Sequence, residues 1–341
     1  MNNGFMKDPS EIEVRTALTT TTNVTSGFDA TYGVEIMKAV DRKIQEILDN
    51  RTPLRALIPR KPMGGQLSYH WNIRTGNNSS STFYSDGGDG TAATGTKVQL
   101  IATAKSFRTD WEVTNLSKAA MASYFDAVAD EVANAAIAHS ILEEKQVIDG
   151  TDSSAYGNAS GFLGMKQLLD SYVTRSDTTT VYGIARASGK TYLDCQLVNA
   201  GSVDLSLTHL DAADTAIKKK NGQTWMFLCS YDRHDEISQL LQSQQRFNDK
   251  VEVPGGFIVV SYRGAMIVPS SYMDKAGDSD TDTALYALGK DIWEMRVLKD
   301  TSNNPATMGR TDSIGGFLTT YEVLVCKDLT KNCRVYGLNT P

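Results

Sequence analysis

Two segments in the first third of the chain alternate strictly between apolar and polar side chains. The first reads QLSYHWNIR, and its apolar positions are Leu67, Tyr69, Trp71 and Ile73. The second reads KVQLIATAKSF, and its apolar positions are Val98, Leu100, Ala102 and Ala104. A period of two residues is typical of a strand with one buried face, so the pattern predicts a pair of β-strands.

The 22 residues between these strands, Thr75–Thr96, include five glycines, five threonines and four serines. An irregular loop of this length does not suit a compact domain, and a long two-stranded hairpin is only marginally stable alone. We therefore predict a projecting hairpin that a neighbouring subunit orders. The side chains expected to contact that subunit are Leu67, Tyr69, Trp71, Ile73, Phe83, Tyr84, Val98, Leu100 and Phe107.

A helical period predicts two helices, one on each side of the hairpin. Residues 1–30 are polar and are expected to form an extended arm, and Gly33–Asn50 then forms the first helix. The second, Thr114–Gly150, is rich in alanine and contains no proline or earlier glycine, so it predicts one rod of about 50 Å. Its expected apolar stripe is Phe125, Val128, Val132, Ala135, Ala136, His139 and Leu142.

The second half of the chain alternates between helical and extended patterns. A short helical turn in GFLGMKQLLD is followed by helices in LTHLDAADTAIKKKNG and YDRHDEISQLLQSQQRF, which flank the apolar strand TWMFLCS. Two strands then join around Arg263 and Gly264, and the tail is predicted as strands broken at Gly289, a strand Phe317–Cys326 and a short last strand. This order indicates a compact α/β region followed by a strand-rich end.

Composition narrows the class of protein. The chain has 341 residues, of which 40% are hydrophobic and 22% charged, as in ordinary soluble proteins. It contains neither a membrane-length apolar run nor a signal-peptide pattern, which predicts a protein made and used in a cytoplasm. The net charge of -6 argues against a protein whose main surface grips nucleic acid, although DNA on one side of a thin wall stays compatible with it.

A possible nucleotide site in YGIARASGKTYLD does not meet the requirements of a phosphate-binding loop. In a phosphate-binding loop, four residues separate the first glycine from the glycine that precedes Lys and Ser/Thr. Here five residues separate Gly183 from Gly189. The preceding segment is polar and the following one reads as extended chain. We interpret Gly189, Lys190 and Thr191 as part of a surface turn.

Other candidate chemistry is weaker still. The four histidines (His70, His139, His209 and His234) are scattered, and the four cysteines contain no CxxC pair, so no metal site is expected and the thiols are expected to be reduced. Ser230 or Asp232 is expected to cap a helix and not to join His234 in a triad. SDGGDG is interpreted as a flexible tip, and the lysine run 218–220 as a solvated helix end.

The order of these elements resembles the major capsid proteins of tailed double-stranded DNA viruses with the HK97-type fold, over roughly Tyr32–Asn339. EIMKAVDRKIQEILDNRTPLRALIPRKPMGG resembles the family's opening helix and its approach to the E-loop, and Gln66–Phe107 resembles the E-loop itself. Leu116–Asp149 resembles the spine helix of the peripheral (P) domain, followed by GFLGMKQLLD. VYGIARASGKTYLDCQLVN resembles a segment of the axial (A) domain.

The resemblance implies an α+β, HK97-like capsid fold. The implied regions are an N-terminal arm (1–30), the start of the P domain (31–65), the E-loop hairpin (66–108), the P domain with its spine helix (109–160), the A domain (161–288), and closing strands of the P domain that return to the A domain (289–341). Copies would form hexamers and pentamers that close an icosahedral shell around the genome. No enzyme activity, cofactor or membrane is implied.

The implied partners are other copies of the chain, packaged DNA held non-specifically on the inner surface, and possible scaffold, portal and cement proteins. The protein would be assembled in the host cytoplasm and reside in the virion capsid. Some family members crosslink through an E-loop lysine, but Thr75–Thr96 contains none, since Lys97 and Lys105 lie on the return strand. We therefore expect no crosslink. Because no long, charged helical region lies ahead of the arm, we also expect a separate scaffolding protein or none.

Two alternatives stay open at this point. An encapsulin, a cellular nanocompartment shell, shares the fold and would be distinguished by a cargo-enzyme gene in place of terminase and portal genes. A soluble α/β enzyme with a strand-rich appendage would form a small oligomer and show a polar pocket.

Overall fold

The strands of the structure, a computed structural model, form two main sheets. The structure describes residues 52–80, 83, 86–88, 92–122, 126–150, 161–242, 250–253, 257–274, 284–307 and 312–339. All of these belong to one compact unit, Leu48–Pro341. The predicted arm and the predicted helix Gly33–Asn50 lie outside the described residues.

The helices of the described residues are α1 (Pro53–Leu57), α2 (Asn115–Met121), α3 (Ala127–Asp149), α4 (Met165–Leu168), α5 (Tyr172–Arg175), α6 (Leu207–Lys219), α7 (Tyr231–Gln242) and α8 (Ser271–Asp274). The strands are β1 (Arg60–Pro62), β2 (Ser68–Arg74), β3 (Lys97–Thr103), β4 (Lys105–Thr114), β5 (Thr180–Val181), β6 (Ile184–Ala185), β7 (Gln196–Val203), β8 (Thr224–Cys229), β9 (Lys250–Val253), β10 (Phe257–Tyr262), β11 (Ala265–Pro269), β12 (Leu285–Gly289), β13 (Trp293–Thr307), β14 (Ser313–Cys326) and β15 (Cys333–Leu338). Two 3-10 turns occupy Thr191–Leu193 and Leu329–Lys331.

The first sheet has four strands in the order β1-β13-β14-β4. Its centre is the long antiparallel pair β13 and β14, of 15 and 14 residues, so the predicted strand Phe317–Cys326 is confirmed and begins four residues earlier, at Ser313. Helix α3 packs on this sheet through Ala135, which lies in a small buried cluster with Trp111 and Leu318. The sheet therefore joins the end of the chain to the strand that follows the hairpin.

The second sheet has seven strands in the order β7-β15-β12-β8-β11-β10-β9 and is buried on both faces near β8. Alternate residues of β8 face opposite sides: Phe227 and Cys229 pack with α6 and α7, whereas Met226 and Leu228 join the main core. The predicted buried strand, its two flanking helices and the break at Gly289 are all confirmed. The four cysteines all lie in the described part of the chain, where they are buried and form no disulfide.

Gly264 and Gly183, both noted in the sequence, lie in tight turns between strands. Arg263 and Gly264 both have positive φ, 50° and 82°, as a two-residue hairpin turn between β10 and β11 requires. Tyr182 and Gly183 do the same between β5 and β6, with φ of 49° and 84°. Gly183 is thus a turn residue of a short hairpin and does not lie at the start of a phosphate-binding helix.

The single long helix predicted for Thr114–Gly150 is wrong. Thr114 caps α2 by accepting from the Ser117 N–H, but a second helix starts at Ala127. Asp126 has extended backbone, and its side chain accepts from the first N–H groups of α3, so it acts as a new N-cap inside the alanine-rich run. Helix α3 has 23 residues and is therefore about 35 Å long.

The predicted apolar stripe of this helix is correct in part. Ala135 and His139 are buried and Val128 and Val132 half-buried, whereas Ala136 and Leu142 are exposed and Phe125 lies outside the described residues. Two carboxylates, Glu143 and Glu144, continue the buried face in their place. The apolar residue type does not reveal these two positions, because ion pairs hold Glu143 and backbone N–H groups hold Glu144 on the buried face.

Candidate functional site

The predicted hairpin is present as the antiparallel pair β2 and β3. The register runs from Ser68 opposite Thr103 to Arg74 opposite Lys97. Backbone bonds continue the ladder beyond both strands, from Thr75 N to Thr96 O at 3.0 Å. The alternation in the sequence therefore located both strands and their pairing.

The apolar face of the hairpin packs against its own chain. The Trp71 ring meets the Tyr182 ring edge-on with centroids 4.9 Å apart. The Arg296 guanidinium lies 4.0 Å from the centre of the Tyr69 ring and donates to the Tyr69 hydroxyl at 3.0 Å. Leu100 is only 2% exposed, so the structure removes it from the side chains that can reach a neighbouring subunit.

The other predicted contact residues fall into two groups. Leu67 is 62% exposed and Phe83 is fully exposed, which leaves both free to meet another chain. Ile73 and Val98 are half-buried, and Phe107 stacks on His139 with ring centroids 4.5 Å apart. Tyr84 lies outside the described residues. The inter-subunit contact itself stays a prediction, carried chiefly by Leu67 and Phe83.

At the base of the hairpin, helix α1 is capped by a residue far along the chain. Thr52 at its N-cap makes no side-chain cap bond. The Glu144 carboxyl accepts instead from the backbone N–H groups of Leu54 at 3.2 Å and Arg55 at 3.1 Å. A carboxyl at this end of a helix satisfies donors that have no partner within the helix. It also anchors the segment leading into the hairpin to α3.

Arg60 joins three carboxylates from three other elements, α3, β13 and β14. Its guanidinium donates to Glu143 at 2.5 Å, to Glu322 at 2.7 Å and to Asp300 at 3.3 Å. Arg55 also pairs with Glu143, which is 1% exposed. These contacts fasten β1, which leads into the hairpin, to α3 and to strands β13 and β14 of its own sheet.

Burial shifts the pKa values of this charged cluster. Burial, with repulsion from Glu143, raises the pKa of Glu322 to about 8, and burial raises the pKa of Glu144 to about 7. Burial, with the charges of Arg55 and Arg60, lowers the pKa of His139 to about 4, so this imidazole is neutral at pH 7. Its nitrogens lie within 2.9 Å of two threonine hydroxyls, which gives it a structural role.

Three further sequence candidates, Ser230, His209 and Lys190, have structural roles. Ser230 accepts from the Arg233 N–H at 3.2 Å, which confirms it as a helix cap, and His209 forms a capping box with Ser206. Lys190 lies in a turn and donates to the Ala185 carbonyl oxygen. Within the described residues no three His, Cys, Asp or Glu side chains converge on a possible metal position. None of the described helices is both long and apolar enough to cross a membrane.

Sequence reasoning did not single out the charged cluster. The sequence does contain one sign of the cluster. Glu143 and Glu144 follow His139 by four and five residues, which places them on the helix face predicted to be buried. Its partners Arg55 and Glu322 lie 88 residues before and 179 residues after Glu143 in the numbering, so only the folded chain brings them together.

Comparison with known proteins agrees with this architecture. The chain matches the family model described as SU10 major capsid protein over residues 16–339. No curated protein is significantly similar to it.

Solved capsid structures share the fold at low sequence identity. The capsid subunit of cyanophage A-1(L) is 12% identical with a TM-score of 0.68, and the match covers 88% of this chain and 96% of that one. The capsid of Myoviridae phage XM1 is 11% identical with a TM-score of 0.61, covering 88% and 97%. The SrpI encapsulin of Synechococcus elongatus PCC 7942 is 12% identical with a TM-score of 0.58, covering 87% and 92%. The predicted HK97-type fold is confirmed.

Proposed function

The chain belongs to the SU10 major capsid protein family, and we propose that its copies close into an icosahedral shell of hexamers and pentamers around a double-stranded DNA genome. The observation that carries this proposal is the family match over nearly the whole chain, including the hairpin and both sheets. The role is structural and requires neither a catalytic residue nor a cofactor. Assembly would take place in the host cytoplasm, with scaffold, portal and cement proteins as possible partners.

We assign the four-stranded sheet and α3 to the P domain, and the seven-stranded sheet to the A domain. This division follows the strand order: β13 and β14 close the first sheet, and β15 then returns to the second. Residues 66–108 form the E-loop of this arrangement. Leu67 and Phe83 supply its exposed apolar surface, which a neighbouring subunit would cover.

Assembly of the purified full chain tests the proposal. Light scattering and negative-stain microscopy are expected to show closed shells or a mixture of hexamers and pentamers. A chain that stays a monomer or dimer, even under crowding and with a candidate scaffold added, contradicts the proposed function. Gene neighbours then distinguish a virus shell from an encapsulin, whose fold is also similar.

A pair of variants tests the role of the hairpin. Leu67→Asp is expected to stop shell formation while leaving the free energy of unfolding of the single chain within about 0.5 kcal/mol, since exposed substitutions rarely change stability more. Val173→Asp is the matched control because its side chain is 64% exposed and lies on α5, outside the hairpin. Equal loss of assembly in both variants argues against a special role for the hairpin.

A further inference from the structure

Three loops meet at one edge of the seven-stranded sheet: the end of α6, the turn after β12 and the loop before β15. The Lys290 N–H donates to the Gln223 carbonyl oxygen at 2.8 Å, which joins the first two. The buried Asn332 side chain accepts from the Gly289 N–H at 3.0 Å and from the Trp293 indole at 2.8 Å, which joins the last two. The loops are therefore held in fixed positions relative to one another.

These loops carry five lysines, which we name the basic edge: Lys219, Lys220, Lys290, Lys327 and Lys331. Lys327 pairs with Glu294 at 3.2 Å and Lys331 with Asp328 at 3.3 Å. Lys219, Lys220 and Lys290 are exposed, and none of them forms an ion pair with any carboxylate in the described part of the chain. Three ammonium groups are therefore available to an external anion.

The positive charge continues onto the first sheet. The buried Glu294 carboxylate, already paired with Lys327, also contacts Lys61 at 2.9 Å and Arg296 at 2.5 Å. Counting these two with the basic edge gives seven cations, against the three carboxylates Glu294, Asp328 and the exposed Asp291. The excess among these named groups is thus four positive charges, on a chain whose net charge is -6.

We propose that the basic edge binds the phosphate backbone of the packaged DNA duplex, an inference that rests on the proposed capsid function. Lysines on loops neutralise phosphates and release their counterions without reading bases, as a shell that holds any genome sequence requires. A contact with a neighbouring subunit fits less well, because lysine is depleted at protein–protein interfaces. The sequence alone showed only the run 218–220; the fold adds Lys290, Lys327 and Lys331 to it.

The test is the salt dependence of DNA binding by the unassembled full chain, so that no closed shell excludes the duplex; it is measured by fluorescence anisotropy with a labelled duplex of arbitrary sequence. The variant Lys219→Gln/Lys220→Gln/Lys290→Gln removes the three unpaired ammonium groups. Each neutralised phosphate contributes about 0.9 to the slope of log K against log salt, so the slope is expected to fall in magnitude by about 2 to 3. The matched control, Lys118→Gln/Lys190→Gln/Lys299→Gln, removes three lysines elsewhere and is expected to keep the slope of the unmodified chain.

Shell formation by the same proteins is followed by light scattering, so that the two proposals fail in different ways. If the unmodified chain forms shells but does not bind the duplex, or if the control loses as much slope as the variant, the basic edge is not the DNA site and the capsid function stands. If the variant binds DNA like the unmodified chain but no longer assembles, the edge is a subunit contact and the inference is overturned. If the unmodified chain never assembles, the capsid function fails, while the binding slopes still test the edge.

Discussion

Replacing Glu144 by glutamine is expected to destabilise the folded chain at low pH and to stabilise it at high pH. The carboxyl is fully buried and accepts from the N–H groups of Leu54 and Arg55 at the start of α1. Burial raises its pKa from 4.5 to about 7, because a low-dielectric surrounding disfavours the charged form more than the two N–H groups favour it. The variant thus compares a titrating group with a neutral group of nearly the same shape.

The magnitude follows from proton linkage. The folded pKa lies above the unfolded one, so the folded chain keeps a proton that the unfolded chain releases between pH 4.5 and about 7. The stabilising contribution is present below pH 4.5 and is lost as pH rises through about 7. At about 1.4 kcal/mol for each pKa unit, the difference of about 2.5 units makes the charged carboxylate cost about 3 kcal/mol above pH 7.

The glutamine does not titrate, and it has one acceptor oxygen for two backbone donors. The unpaired N–H costs about 1 kcal/mol at every pH. Glu144→Gln is therefore expected to be less stable than the unmodified chain by about 1 kcal/mol near pH 4.5 and more stable by about 2 kcal/mol well above pH 7. The other groups of the cluster, such as Glu322 and His139, are shared by both proteins, so to a first approximation their titrations cancel in the difference.

Urea unfolding of the unassembled chain, followed by tryptophan fluorescence at a series of pH values, measures this difference. Glu131→Gln on the same helix is the matched control for the loss of a carboxyl from α3, because its side chain is half-buried and belongs to none of these contacts. A flat difference for Glu144→Gln, or one that grows less favourable as pH rises, refutes the argument.

Three further outcomes are expected. Gly316→Ala places a Cβ 2.7 Å from the Trp111 ring and should lower the free energy of unfolding by about 1–3 kcal/mol, whereas Gly189→Ala, with open space around it, should change little; equal urea midpoints for the two would contradict this. Leu168→Ala removes a fully buried side chain and should cost about 2–5 kcal/mol by the same measurement, so a cost under about 1 kcal/mol would mean that the site collapses to fill the cavity. Boiled shells should run as the single chain on a denaturing gel, because residues 75–96 contain no lysine, and a ladder of covalent multimers would disprove this.

Local pattern was sufficient to predict most of the secondary structure. Period-two alternation located β2 and β3, and helical spacing with caps located α6 and α7. A strand or helix reveals itself in this way because its buried face repeats over neighbouring residues. The order of these elements was then enough to recognise the fold. One local signal was missed. Asp126 caps a new helix inside a segment whose apolar spacing predicts one continuous helix, and apolar spacing alone does not detect a capping residue.

The tertiary structure alone decided which charges meet. Glu144 caps a helix that begins 91 residues before it, at Pro53, and Lys290 joins Lys219 and Lys220 only because β12 runs beside β8. It also decided that Leu100 is buried within its own chain while Leu67 is exposed, although both are apolar positions of the two alternating segments. Hydrophobic periodicity records which face of an element is buried, but it carries no information about which distant side chains, charges or copies of the chain cover that face.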